Sequence, residues 1–89
     1  MEHSTQDTIL NKYGLHARPA AEFVKLANKF QSDVYVTKDQ VEVNGKSIMG
    51  VMMLAAERGS TVDIRASGGD AEEAVAALAR LVADRFGEE

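Results

Sequence analysis

His16 and Arg18 stand two residues apart in the run Gly14-Leu15-His16-Ala17-Arg18-Pro19-Ala20, and together they suit chemistry on a phosphoryl group. Neutral imidazole near pH 7 is a competent nucleophile, and the N–P bond it forms stays labile enough to be passed on. Arg18 could add a fork of donors matched to phosphate oxygens. The run also falls between a turn and a helix start, where exposed N–H groups and the positive end of the dipole favour an anion. Gly14 lets the backbone take an unusual angle and Pro19 stiffens the turn. By pattern alone the plainer reading, an exposed histidine at a helix start beside a solvated arginine, is the stronger of the two. No Gly-rich lysine loop or carboxylate–metal cluster supplies a phosphate donor. Nor does a general acid–base pair or nucleotide site stand out, which argues against an independent hydrolase or kinase.

A second segment of interest begins at Ser47, ahead of the apolar run Ile48-Met49-Gly50-Val51-Met52-Met53-Leu54-Ala55-Ala56. Projected as a helix it has no polar face: Ile48, Met49 and Met52 fall on one side, and Val51, Leu54 and Ala55 on another. Methionines can be adaptable core filler, but a 9.6 kDa domain has too little core to bury both sides. Val51 and Leu54 are therefore expected to face the sheet, leaving Ile48, Met49 and Met52 as an exposed docking patch beside His16. Ser47 reads first as an ordinary N-cap.

The elements that must position these residues can be read from periodicity. Ala20, Phe23, Val24 and Ala27 recur at helical spacing, widened by Leu26 and Phe30, with Pro19 in the first turn where its missing N–H costs nothing. Val34 and Val36, then Val41 and Val43, alternate with polar residues around a turn near Lys38-Asp39-Gln40. Val62, Ile64 and Ala66 alternate likewise. Thr8-Ile9-Leu10 is a weaker strand candidate, and His3 falls in a polar N-terminal stretch to which no role is assigned. Ala74, Val75, Leu78, Leu81 and Val82 form the stripe of a last helix, with Asp70 placed to cap it. The order is β-α-β-β-α-β-α. Alternating strands imply a sheet with one face covered and one wet, so the expectation is an α+β open-faced β-sandwich: a four-stranded antiparallel sheet with three helices on one face.

Bulk properties narrow the function classes. Eighty-nine residues without an internal repeat or linker suit one domain, residues 1–89. With no cysteine, disulfides, thiolate zinc sites and thiol nucleophiles are excluded. The net charge of −4 and absence of a basic stripe argue against nucleic acid as a partner. The polar start lacks the apolar stretch of a signal peptide, and no apolar run approaches the ~20 residues needed for direct membrane insertion. A cytoplasmic monomer is the expectation.

The run from Gly14 to Ala20 resembles the active-site signature of HPr, the histidine-containing phosphocarrier of the bacterial phosphoenolpyruvate-dependent phosphotransferase system. The run Asn44-Gly45-Lys46-Ser47-Ile48-Met49-Gly50-Val51-Met52-Met53-Leu54 resembles that family's regulatory-serine segment. Their separation and the element order fit the family over nearly the whole chain. The resemblance implies an HPr-like fold in which His16 takes phosphate on Nδ1 from phosphorylated enzyme I and passes it to an EIIA-type domain, usually on the way to sugar uptake. It implies that Arg18 steadies the phosphoryl group and that backbone N–H groups at the helix start, those of Ala17 and Arg18, receive its oxygens. No metal, nucleotide or other cofactor is implied on the carrier, which has no catalytic site of its own. Ile48, Met49 and Met52 match the family's docking positions. Ser47 matches a serine that an ATP-dependent HPr kinase/phosphorylase modifies, which would put charge into the docking patch.

Two departures from the family pattern lie at Tyr13, where a small polar residue is usual before Gly14, and at Gln40, where glycine is usual in the hairpin. The first leaves open whether a side chain there helps cap the first helix; the second leaves the turn type open. Two other readings stand beside the sugar-type carrier. One is NPr, the nitrogen-type paralogue in a regulatory phosphorelay, toward which the Asn11-Lys12-x-Gly14 lead-in and the Phe86-Gly87-Glu88-Glu89 tail lean; the Lys46-Ser47-Ile48-Met49-Gly50 run leans more firmly to HPr. The other is a binding module that acts by docking under control of Ser47, against which the presence of His16 argues.

Overall fold

Alternating apolar residues on two central strands define the inner face of the sheet: Val34 and Val36 on one, Val62, Ile64 and Ala66 on the other, all buried. The computed structural model describes residues 1–88. Its elements are β1 (Glu2–Thr8), α1 (Ala17–Ala27), β2 (Asp33–Lys38), β3 (Val41–Asn44), α2 (Ile48–Met53), β4 (Thr61–Ser67) and α3 (Ala71–Ala83), followed by a short 3-10 turn at Arg85–Gly87. The sheet is antiparallel in the order β1-β4-β2-β3. The three helices cover one face, as the alternation implies.

The two long helices bury the stripes their periodicity marks. Pro19, Ala20, Phe23, Val24 and Ala27 of α1 are buried, as are Ala74, Val75, Leu78 and Val82 of α3, with Leu81 packed at the margin. Alanines on these stripes let the helices approach one another and the sheet closely. Fully burying a Leu- or Phe-sized side chain stabilises a fold by about 1.5–3 kcal/mol, so Phe23, Ile64 and Leu78 are the main anchors.

The first strand lies earlier than its sequence suggests. It spans Glu2–Thr8 rather than Thr8-Ile9-Leu10, and His3 belongs to it. Glu2, Ser4, Gln6 and Thr8 face outward while His3, Thr5 and Asp7 lie on the face covered by helices. With polar residues on both faces there is no apolar alternation to read. The strand is held by seven paired positions along β4, from Glu2 opposite Ser67 to Thr8 opposite Thr61. Burial raises the pKa of Asp7 above its ordinary value, against a smaller opposing hydrogen bond from Thr5.

Asp70 is the N-cap residue of α3 by position, but its side chain makes no capping bond. Its carboxylate instead accepts from the backbone N–H groups of Gln31 and Ser32, both at 2.9 Å, and from the Ser32 hydroxyl. This ties the start of α3 to the entry of β2. The Ser32 hydroxyl and the Gln31 amide hold the Asp70 pKa below the ordinary carboxylate range. At the β2–β3 hairpin, Asp39 and Gln40 take φ of +51° and +69°. Two left-handed central residues are what a two-residue type I′ hairpin requires; the turn forms without the glycine that usually eases it.

Candidate functional site

Gly14 sets the course of the chain into the site. Its φ is +68°, and a Cβ there would lie 2.2 Å from the carbonyl oxygen of Ala56. That carbonyl accepts the Leu15 N–H at 2.8 Å. The loop before α1 is thereby pressed against the segment that follows α2, so the His16 loop and the end of α2 lie side by side. Asn11 braces the loop from within: it is fully buried, and its Nδ2 donates to the Gly14 carbonyl at 2.7 Å.

His16 occupies the N-cap of α1 with extended backbone, and its carbonyl accepts the Ala20 N–H at 3.0 Å. The first helical positions are Ala17, Arg18 and Pro19. Proline has no N–H, so the helix start presents two outward backbone donors, those of Ala17 and Arg18. The His16 side chain does not cap the helix, which leaves its ring free for other partners. That ring is 40% exposed and meets Tyr13 edge-on, with centroids 6.1 Å apart. Tyr13 therefore flanks the imidazole and does not cap α1, and Lys12 lies over the outer tyrosine ring.

His16 and Arg18 line one open cleft of about 600 Å³ together with Lys12, Tyr13, Gly87 and Glu88. Two features of this cleft are not among the residues expected from the sequence. Lys12 adds a second cation beside Arg18. Glu88 arrives from the far end of the chain, its Oε1 lying 3.3 Å from His16 Nε2 and accepting from Asn11 Nδ2 at 3.1 Å. Among the described residues, no group of three or more His, Cys, Asp or Glu is arranged to hold a metal ion. The cleft thus joins an imidazole, two backbone donors at the positive end of a helix and two cations, groups whose chemistry suits a phosphoryl group.

Ser47 is the N-cap of α2, and its Oγ accepts the Gly50 N–H at 3.1 Å. The ordinary capping role read from the sequence is thus present. Val51 and Leu54 are buried, whereas Ile48, Met49 and Met52 are exposed, at 44%, 74% and 41%. Met53, at 75%, extends the apolar surface beyond the three residues expected from the helical projection. It does so because α2 stops at Met53 and the chain turns away at Ala55, whose φ is +49°.

A small open-faced sandwich with a histidine at the N-cap of its first helix matches the fold expected from the resemblance, a phosphocarrier's. The model of the PTS-HPr family, described as the PTS HPr component phosphorylation site, matches residues 3–84. The phosphocarrier protein HPr of Cupriavidus necator strain H16 is 53% identical over 81 residues, covering 91% of each chain. That of Neisseria meningitidis strain Z2491 is 50% identical over 80 residues, covering 90% of each. The crystal structure of HPr-C-His from Thermoanaerobacter tengcongensis superposes with a TM-score of 0.94 at 50% identity, over 98% of both chains. This chain belongs to the HPr family of phosphocarrier proteins. Among the described residues, no helix is long and apolar enough to cross a membrane.

Proposed function

We propose that His16 accepts a phosphoryl group on Nδ1 from phosphorylated enzyme I and delivers it to EIIA-type domains, serving sugar uptake and its regulation. The observation that carries this reading is the placement of the His16 imidazole at the N-cap of α1, beside two outward N–H groups and Arg18. The Nδ1 lone pair attacks phosphorus, and the bond from phosphorus to the donor breaks with its electron pair remaining on the donor. Charge on the transferring oxygens is met by the Ala17 and Arg18 N–H groups and by the Arg18 guanidinium. Because the nitrogen–phosphorus bond is labile, the reverse displacement onto an acceptor follows readily. The carrier contributes position and electrostatics and turns over no substrate of its own.

Ile48, Met49 and Met52, joined by Met53, form the surface on which enzyme I and EIIA dock. Exposed methionines suit a patch that meets more than one partner, since the unbranched thioether side chain adapts to different surfaces. Phosphorylation of Ser47 by an HPr kinase/phosphorylase would place a charge of about −1.5 to −2 at the edge of this patch. The helix dipole would tolerate that charge while apolar docking would not, so the modification brakes transfer without refolding the chain. The protein acts in the cytoplasm as a single-domain monomer.

Phosphoenolpyruvate and enzyme I, added to wild type and to His16→Ala, test the assignment through acid-labile phosphate. Label is expected on wild type alone; equal labelling of both proteins refutes it. A panel of EIIA domains offered to the phosphorylated carrier then distinguishes sugar uptake from a nitrogen-type relay. Mass spectrometry after incubation with the kinase and ATP tests Ser47, and an unmodified serine removes the regulatory role.

A further inference from the structure

Among the described residues that line the His16 cleft, Glu88 is the one acidic side chain, in a place where a phosphoryl acceptor would be expected to avoid negative charge. It is held there firmly. Phe86 is buried at 7% exposure and anchors the segment after α3. The Gly87 and Glu88 N–H groups donate to Asp84 and Arg85 carbonyls at 3.1 and 2.8 Å. The Glu88 side chain is only 18% exposed. Its Oε1 is fixed by the amide of Asn11, the same buried residue that braces the Gly14 carbonyl two positions before His16.

A carboxylate can only accept hydrogen bonds, so the ring nitrogen that faces it carries the proton. With the Glu88 carboxylate 3.3 Å from Nε2, the contact favours the neutral tautomer that carries its hydrogen on Nε2 and its lone pair on Nδ1. We propose that Glu88 is a positioning residue for phosphoryl transfer at His16, acting through Nε2 to present Nδ1 as the nucleophile. This rests on the phosphocarrier reading and extends it to a second residue. As the nitrogen–phosphorus bond forms, Nε2 keeps its proton and the ring becomes an imidazolium. The positive charge that develops faces the Glu88 carboxylate. When phosphorus departs to an acceptor, the bonding pair returns to Nδ1 and the charge disappears; no proton passes to Glu88. The arrangement parallels the carboxylate that orients and charge-stabilises the histidine of a serine hydrolase triad. The two ring nitrogens point away from each other, so a carboxylate on the Nε2 side leaves the Nδ1 side clear of it, in a cleft that Lys12 and Arg18 also line.

Phosphoramidate, a small phosphoryl donor that needs no partner protein, separates this role from mere packing, with nitrogen and phosphorus NMR identifying the ring atom that is labelled. Wild type is expected to carry phosphate on Nδ1 alone. In Glu88→Ala a fraction on Nε2 should appear, and transfer from phosphorylated enzyme I should slow about three- to tenfold, the scale of one partly exposed charged hydrogen bond. Glu88→Gln, which keeps an acceptor and loses the charge, should retain the Nδ1 preference and still transfer slowly. Exclusive Nδ1 labelling of Glu88→Ala, or an unchanged transfer rate in both variants, overturns the proposal. Failure of wild type to take phosphate from enzyme I would instead refute the carrier reading, while the phosphoramidate result would still judge Glu88.

Discussion

Replacing Gly14 with alanine should destabilise the protein sharply and loosen the site it introduces. Two effects add. A left-handed conformation costs a residue with a Cβ about 1–2 kcal/mol relative to glycine. The new methyl group would also lie 2.2 Å from the Ala56 carbonyl oxygen and 2.8 Å from the Glu57 Cα, both backbone atoms that cannot rotate aside. Relief requires the His16 loop to move away from Ala56, which stretches the Leu15–Ala56 hydrogen bond; overpacking of this sort costs about 1–3 kcal/mol. A total of about 2–5 kcal/mol is expected, a large share of the stability of a small domain. For a chain of this length that lowers Tm by about 8–40 °C. Gly59 provides the control: its φ is +91°, but a Cβ there meets nothing within 4 Å. Gly59→Ala should therefore lose only the torsional part, about 1–2 kcal/mol. Urea unfolding of both variants measures the difference, and phosphate uptake by the folded fraction of Gly14→Ala reports displacement of His16. Equal destabilisation of the two variants would refute the close-approach argument.

Three further outcomes are expected. Gln40→Gly relaxes one left-handed position of the β2–β3 turn and should raise stability by about 1 kcal/mol in thermal unfolding. Met49→Asp, at a site 74% exposed, should shift stability by less than about 0.5 kcal/mol. It should nevertheless weaken titrated binding to enzyme I by about tenfold or more, as loss of an apolar interface anchor does; simple unfolding would mark Met49 as core. Asp7→Val removes a partly buried carboxylate whose Oδ2 has no partner among the described residues, and should add about 0.5 kcal/mol at pH 7. Because burial raises the folded-state pKa of Asp7, the native state binds its proton more tightly than the unfolded chain. Stability is therefore lost as pH rises from the ordinary value of 3.8 through the raised one. The advantage of Asp7→Val in urea midpoint should accordingly narrow as pH falls toward 3.8; an advantage unchanged with pH would point to strand propensity instead.

The local elements that carry the chemistry were legible in the chain because each records its own burial. The stripes of α1 and α3 and the alternation of β2 and β4 mark which side of each element meets the core. The positions of Gly14, His16, Arg18 and Pro19 mark a helix start prepared for an anion, and the split of Ile48, Met49 and Met52 from Val51 and Leu54 marks an exposed patch over a thin core. Local pattern has no means of registering partners that arrive from elsewhere. β1 is polar on both faces and exists because β4 pairs with it. Asp70 occupies a capping position, yet its carboxylate is drawn to Gln31 and Ser32 when the start of α3 packs beside β2. Glu88 lies 72 residues from His16 and reaches Nε2 only after α3 returns the chain to the mouth of the cleft. The sequence, through its family resemblance, singled out His16 as the candidate nucleophile and Arg18 as part of its cradle, where local pattern alone favoured a plain exposed histidine. Only tertiary closure sets a carboxylate against one of its two ring nitrogens, since Glu88 comes within hydrogen-bonding range of Nε2 only in the folded chain.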